Sequence, residues 1–131
     1  IAIHDGARPF VSEAVIDRTV NSAKQNHAAA PAVYATDTVR IVNTKGVAVS
    51  TPDRDTVALI QTPQVFDADL IRNALTKAVK NDLRITDDCS AVEAMGAKVT
   101  VVAGEQTNIK LTSEADVYIA EKILPDRGTD K

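Results

Sequence analysis

Apolar residues in this chain change their period several times along its length, and that alternation constrains the fold more than any single motif. Val15, Ile16, Thr19, Val20 and Ala23 recur at helical spacing behind Ser12, a good N-cap, and predict a helix ending near Asn26. Ala28 to Ala35 is small, apolar and interrupted by Pro31, which predicts a buried strand starting just after the proline. Val39, Ile41, Val47 and Val49 alternate with polar residues around Asn43-Thr44-Lys45-Gly46, the pattern of a β-hairpin whose turn uses the glycine. After the short apolar pair Leu59-Ile60, the residues Leu70, Ile71, Ala74, Leu75, Ala78 and Val79 form the cleanest helical stripe, with Asp67 or Asp69 serving its first turn. A further helix is expected from Thr86, capped by its hydroxyl, with Asp87 and Asp88 complementing the dipole, Val92 and Met95 facing inward and Gly96 at its stop. Val99 to Ala103 is a β-branched strand, and Ser113 with Asp116 resembles a capping box for a last helix that Val117, Ala120, Ile123 and Leu124 carry to Pro125. Strands alternating with helices predict an α/β layer with a largely parallel sheet and helices packed on it. No internal repeat or convincing domain boundary interrupts the pattern.

Size and charge narrow the partners. A chain of 131 residues buries roughly two thirds of its unfolded surface, enough for a core without disulfides or a structural metal. With 15 Lys and Arg against 18 Asp and Glu, and only two Tyr, two Phe and no Trp, it lacks both the basic footprint and the stacking residues of a nucleic-acid binder. The single Cys89 forms no internal disulfide, and with two distant histidines it gives no zinc spacing. No apolar run approaches the ~18 residues of a membrane span, and IAIHDGARPF has neither the n-region nor the cleavage site of a signal peptide. A reducing, cytoplasmic setting without nucleic-acid or membrane partners is therefore expected. Ile1-Ala2-Ile3 is already a strand pattern, so the chain is expected to begin within a domain.

In α/β sheets ligands bind outside the carboxyl ends of strands, and four polar clusters directly follow apolar runs. They are His4-Asp5-Gly6-Ala7-Arg8-Pro9, Thr36-Asp37-Thr38, Gln61-Thr62-Pro63-Gln64 and Thr107-Asn108-Ile109-Lys110. Taken singly, each has a plain reading. Asp5-Gly6 is a strand-ending turn and Arg8 its solvated neighbour. Thr62-Pro63 is a rigid exit from a strand, Lys110 and Arg54 are surface charges, and His4 is a structural histidine. Asp87-Asp88 is first-turn dipole compensation, and Cys89 is packing, since no histidine stands near it in sequence.

The ordered set changes that reading. I-H-D-G-A-R-P-F, D-T-V-R, T-P-D-R-D, Q-T-P-Q-V-F, I-T-D-D-C-S-A-V-E and N-I-K-L-T-S together resemble the C-terminal part of the 2-C-methyl-D-erythritol 4-phosphate cytidylyltransferases of the non-mevalonate isoprenoid pathway, from Ile1 to about Leu124. Ribitol 5-phosphate cytidylyltransferases share several of these blocks, and the stretch Asp87 to Glu93 looks more like the erythritol enzymes. The resemblance implies a Rossmann-like sheet of nucleotide-diphospho-sugar transferase type with flanking helices and a protruding hairpin. Residues 1–125 would form part of one cytidylyltransferase domain, about 38–57 its dimer arm and 126–131 a loose tail. Members also carry a glycine-rich loop and a Pro-Lys pair that hold the triphosphate. Neither occurs in these residues, so the chain is expected to be a C-terminal piece, inactive alone.

The implied reaction is CMP transfer from CTP to the sugar-alcohol phosphate with release of pyrophosphate, assisted by Mg²⁺ or another divalent cation. By resemblance, Asp5, Arg8 and Lys110 are catalytic, Asp5 and Ala7 bind nucleotide, and Asp5 is the candidate metal ligand. Arg8, Thr38, Arg54, Thr62, Thr86 and Lys110 bind the sugar phosphate, with Arg54 reaching the neighbouring subunit's site in a homodimer. For Thr86 and Asp87 the helix-capping reading stays equally open. The alternatives are a ribitol or other polyol phosphate as acceptor, or a non-catalytic α/β fragment that binds a sugar phosphate.

Overall fold

A computed structural model describes residues 1–127. Its elements run β1 (Ala2–Ile3), α1 (Glu13–Asn26), β2 (Ala28–Tyr34), β3 (Ile41–Val42), β4 (Ala48–Ser50), a 3-10 turn (Arg54–Thr56), β5 (Ala58–Ile60), β6 (Gln64–Phe66), α2 (Ala68–Lys80), α3 (Asp88–Glu93), β7 (Thr100–Ala103) and α4 (Glu114–Arg127). β2 is the centre. It pairs antiparallel with β6 through Ala28 and Ala29 and with β5 through Ala32 to Tyr34, while β7 runs parallel to it along the other side. β1 completes the sheet by pairing antiparallel with β6. The sheet is therefore mixed and not largely parallel, because β5 and β6 return along β2 without a crossover helix. β1, β2 and β7 nevertheless point the same way, so the segments after them share one edge.

Pro31 lies inside β2, not ahead of it. Its carbonyl accepts from Gln61 N–H at 2.8 Å, so the N–H that proline lacks would have faced the same neighbour. That neighbour is where β5 ends and β6 has not begun, which lets a proline sit in a central strand.

Side chains alternate across β2 as a pleated strand requires. Ala29 joins Val65, Val20 and Ala23 under α1, whereas Ala28 and Ala30 join Phe66, Ile71, Ala74, Ala78, Cys89, Ala91 and Val92 under α2 and α3. Both faces are covered, which accounts for the unbroken apolar run. α1 starts at Ser12, whose Oγ accepts from Val15 N–H, and ends at His27 in the left-handed region with φ +68°. His27 Nδ1 meets Asp67 Oδ2 at 2.6 Å, so Asp67 caps α2 by position while its carboxylate holds the end of α1.

The cap of α3 is Asp87, not Thr86. Asp87 accepts from Ser90 N–H and Ser90 Oγ reaches back to the Asp87 backbone, a complete capping box, while the Thr86 N–H donates to the same Ser90 hydroxyl. At α4 the Asp116 carboxylate accepts from Ser113 N–H at 2.7 Å and Thr112 N–H at 2.9 Å, which holds it below the usual carboxylate range. α4 runs past Pro125 to Arg127, so residues 126 and 127 belong to it, and the rest of the expected tail lies outside the described residues.

The hairpin β3–β4 matches its pattern. Asn43 N–H donates to Val47 O, Asn43 Oδ1 accepts from Lys45 and Val47 N–H, and Gly46 takes φ +77°. Ile41, Val42, Val47 and Val49 on it are all at least half exposed.

The α2 stripe divides unequally. Ile71 is 1 % exposed, whereas Val79, on the same predicted face, is 83 % exposed because the chain turns away at Asn81. Ile71→Ala is accordingly expected to cost about 2–5 kcal/mol of unfolding free energy and Val79→Ala under about 0.5 kcal/mol, read from urea midpoints. Equal midpoint shifts would contradict this packing.

Candidate functional site

The segment that leaves β1 turns immediately. Arg8 N–H donates to Asp5 O at 2.9 Å and Ala7 N–H to Asp5 Oδ1 at 3.2 Å, the tight Asx-type turn expected of Asp-Gly. The other carboxylate oxygen meets Lys110 Nζ at 2.7 Å, so a residue of the segment following β7 closes onto the one following β1. Lys110 is the main reason the Asp5 carboxyl lies below its ordinary value, with the Ala7 N–H adding to it.

Thr62 enters from the break between β5 and β6. Its Oγ1 accepts from Asp5 N–H at 3.0 Å and lies 2.9 Å from His4 Nδ1. His4 Nε2 is 3.0 Å from the Arg8 carbonyl, which can only accept, so that contact requires a proton on Nε2. His4 is thus a structural histidine, as its plain reading had it.

Arg8 is half-buried. Its Nη1 donates to Asn108 O at 2.6 Å, and burial draws the guanidinium below its ordinary value while Asp5 partly opposes this. Arg8 and Lys110 line one open cleft of about 260 Å³ with Val33, Leu59, Ile60 and Asp116. Two cations at one mouth can bind a phosphorylated ligand, Arg8 as a planar fork and Lys110 as a point charge.

The structure thus brings together Asp5, Ala7, Arg8, Thr62 and Lys110. Three other residues stand apart. Thr38 is exposed on the segment between β2 and β3 and does not line the cleft. Arg54 is exposed at the base of the hairpin, donating to Thr36 O at 3.2 Å. Thr86 precedes α3 and connects only indirectly, since neighbouring Asp87 accepts from Gln64 Nε2 at 2.8 Å and Gln64 follows Pro63. Cys89 is buried and its thiol is pushed up to about 12 by burial and then by Asp87, so packing is its role.

Sequence reasoning passed over the buried amides. Gln61 is 5 % exposed and Asn108 not at all, and both bond across segments. The signal was an amide at each end of Gln61-Thr62-Pro63-Gln64, legible only once that segment is known to leave a ladder. Arg8 Nε and Asn108 Oδ1 are buried without a hydrogen-bond partner among the described residues.

A divalent cation would find the Asp5 carboxylate here, that of Asp116 being taken up by the amides and hydroxyls of Thr112 and Ser113. Among the described residues no three His, Cys, Asp or Glu side chains converge. A partly exposed carboxylate with unshared lone pairs fits Mg²⁺, which takes one or two carboxylates and leaves the rest to water and ligand phosphates. No helix among the described residues is long and apolar enough to cross a membrane.

Comparison with known proteins bears on all of this. The family model for 2-C-methyl-D-erythritol 4-phosphate cytidylyltransferase matches residues 1–126. The curated protein of that name from Desulforamulus reducens is 42% identical over 98% of this chain and 55% of its own length. The one from Syntrophus aciditrophicus is 45% identical over 95% of this chain and 53% of its own. Among solved structures, the 4-diphosphocytidyl-2C-methyl-D-erythritol synthase of Anaerococcus prevotii superposes with a TM-score of 0.88 at 39% identity, covering 95% of this chain and 57% of that one. The cytidylyltransferase of Thermus thermophilus gives 0.83 at 34%, covering 93% and 60%. The chain spans about half the length of the curated relatives it matches.

The ion pair has a direct reporter. Because the folded Asp5 carboxyl titrates below its unfolded value of about 3.9, the stability it contributes is present above that pH and is lost as pH falls through the lower folded value. Lys110→Met is expected to move the Asp5 titration, followed by carboxyl-carbon NMR, up toward the unfolded value. An unmoved titration would mean that Lys110 does not hold Asp5.

Proposed function

The chain belongs to the 2-C-methyl-D-erythritol 4-phosphate cytidylyltransferase family, and on that premise we propose that it forms the sugar-phosphate side of an enzyme that transfers CMP from CTP to 2-C-methyl-D-erythritol 4-phosphate. The observation that carries the reading is the convergence of Arg8 and Lys110 with Asp5 and Thr62 at the edge where β1, β2 and β7 all end.

In the reaction an oxygen of the sugar phosphate forms a bond to the α-phosphorus of CTP while the α–β P–O bond breaks, its electron pair leaving with pyrophosphate. The nucleophile arrives ionised, so no covalent protein intermediate and no general base are required. What remains is to align two polyanions and offset charge on the equatorial oxygens. Lys110 and Arg8 face that charge across the cleft. Asp5 and the Ala7 backbone hold the nucleotide, Thr62 is presented to the sugar phosphate by its bond to Asp5 N–H, and Thr38 and Thr86, which stand apart from the cleft, would meet the ligand only where it extends beyond it. Asp5 would hold Mg²⁺, which when bound neutralises phosphate charge.

The arm, about residues 38–57, lies outside the compact part of residues 1–125 and exposes four apolar side chains. A two-stranded hairpin is marginal alone, and a two-fold contact is the commonest way to cover one, so a homodimer is proposed, with Arg54 serving the neighbouring site. The cytoplasm is the proposed compartment.

Since the chain spans about half the length of its relatives, the activity is proposed for a protein carrying this chain together with the segment those relatives have in addition. Such a protein is expected to release pyrophosphate from CTP and methylerythritol phosphate, and Arg8→Ala or Lys110→Ala to lower kcat by about 10²–10³. The 131-residue chain alone is expected to be inactive. Turnover of ribitol 5-phosphate in preference to methylerythritol phosphate would reassign the substrate, and no turnover of either would favour a binding role. Activity of the isolated chain would overturn the proposed division of the site.

A further inference from the structure

Asp5 and Ala7 are held by their own turn, but Lys110, Thr62 and Arg8 do not fix their own positions. Lys110 sits on a segment without regular secondary structure, Thr62 on another, and Arg8 on a third. Two buried carboxamides tie the segments of Lys110 and Thr62 together, and the Asn108 main-chain carbonyl takes in Arg8. Gln61 bonds the Glu105 backbone at both of its polar groups, Nε2 donating to Glu105 O at 2.8 Å and Oε1 accepting from Glu105 N–H at 3.2 Å. It thereby acts as a neighbouring strand would, just where β7 has ended. Asn108 Nδ2 donates to Thr62 O at 3.0 Å and to Gln61 Oε1 at 3.3 Å, while Asn108 O accepts from Arg8 Nη1 and from Gln61 Nε2. The Thr62 carbonyl can only accept, which fixes the orientation of the Asn108 amide.

Two further observations point the same way. Gly104 clears the space for Gln61, because a Cβ there would lie 2.4 Å from Gln61 Oε1 and 3.0 Å from the Ala32 backbone. Glu105 Oε1 accepts from Ser12 Oγ at 2.7 Å and pairs with Arg18 at 3.3 Å, so the start of the segment is also tied to α1. From that anchor the backbone reaches Lys110 in five residues, and Leu111 N–H returns to Ala7 O at 2.8 Å.

We propose that Gln61 and Asn108 are positioning residues of the transferase site, a buried amide clamp that sets Lys110, Thr62 and Arg8 relative to one another. The clamp touches no substrate and acts through those three side chains. This proposal rests on the transferase reading for its kinetic consequence but on the hydrogen-bond geometry for its structural one. A neutral amide suits the task, since it avoids the cost of burying a charge, and Gln61 uses both its donor and its acceptor while Asn108 uses its donor. Misplacement of a reacting group by about 1 Å is enough to cost about 10² in rate.

The test uses the protein that carries this chain in active form. Asn108→Ala is expected to lower kcat by about 10² and to raise the KM for the sugar phosphate by about tenfold, with the KM for CTP within about twofold, because Asp5 and Ala7 are held by their own turn. In the same variant, hydrogen exchange should accelerate at the amides of residues 105–111 and stay unchanged at Ala29 in the core. Gln61→Met should reproduce both effects and stands in if Asn108→Ala does not fold. Reduced thermal stability with both KM values and kcat of the folded protein unchanged would overturn the proposal, as would unchanged exchange over 105–111. Accelerated exchange in a protein that turns over neither substrate would support the clamp and instead refute the transferase reading.

Discussion

A proline in a strand paired on both sides is the constraint on which the rest of this structure depends. Pro31 removes one ladder donor from β2, and the chain opposite it is where the strand is interrupted. There β5 stops at Ile60, Gln61 keeps one bond to the Pro31 carbonyl, and Thr62-Pro63 swings out before β6 resumes at Gln64. Backbone that leaves a ladder must find partners elsewhere, and the carboxamides of Gln61 and Asn108 meet that demand for the Thr62 and Glu105 carbonyls. The same break carries the Thr62 hydroxyl to Asp5 and His4. A packing accommodation in the sheet and the assembly of the site are thus one event.

Charge is then placed on that frame with little help from the chain as a whole, which is acidic with a formal charge of −3. In the proposed site Arg8 and Lys110 would act locally, at a cleft mouth where Arg8 is half-buried and a phosphate would feel it more strongly than on a flat surface. Asp5 keeps Lys110 oriented, and an incoming phosphate would share it without having to move it far. Asp116 lines the same cleft, but its carboxylate is turned into the amides and hydroxyls of Thr112 and Ser113 and so opposes an anion less than its formal charge suggests.

What the sequence made legible follows from which signals are local. The helix behind Ser12, the Asn43–Gly46 hairpin and the strand at Thr100–Ala103 depend on neighbours within a few positions, and their bounds match the pattern closely. The direction of β5 and β6, the placement of Pro31 and the short β6 depend on pairings across the sheet, which periodicity does not encode. Thr86 lost its capping role to Asp87 because the carboxylate one position later could form both halves of a capping box with Ser90. For the candidate site, the polar clusters after β1 and β7 contain Asp5, Arg8 and Lys110, but taken singly they read as a turn and surface charge, and the resemblance of the ordered set is what singled them out. Gln61 and Asn108 were not singled out, because a buried amide looks like any other polar residue until its partners are known.

That contrast reflects a division of labour with a physical cause. Groups that meet a phosphate must be charged, and charges are costly to bury, so Lys110 and Asp5 stay at the rim where water still solvates them. Groups that hold them in register must be rigid, and rigidity comes from burial with bonded partners, which Gln61 has at both of its polar groups and Asn108 at its Nδ2. Arg8 spans the two layers. Its Nη1 is committed to the Asn108 carbonyl inside, while its guanidinium also lines the cleft outside. Burial draws its guanidinium below its ordinary value and the nearby Asp5 partly opposes this, while the group stays charged. A lysine at that position could supply the charge but not the planar fork needed to face inward and outward at once, so the layer that positions and the layer that binds meet in the one side chain whose geometry allows both.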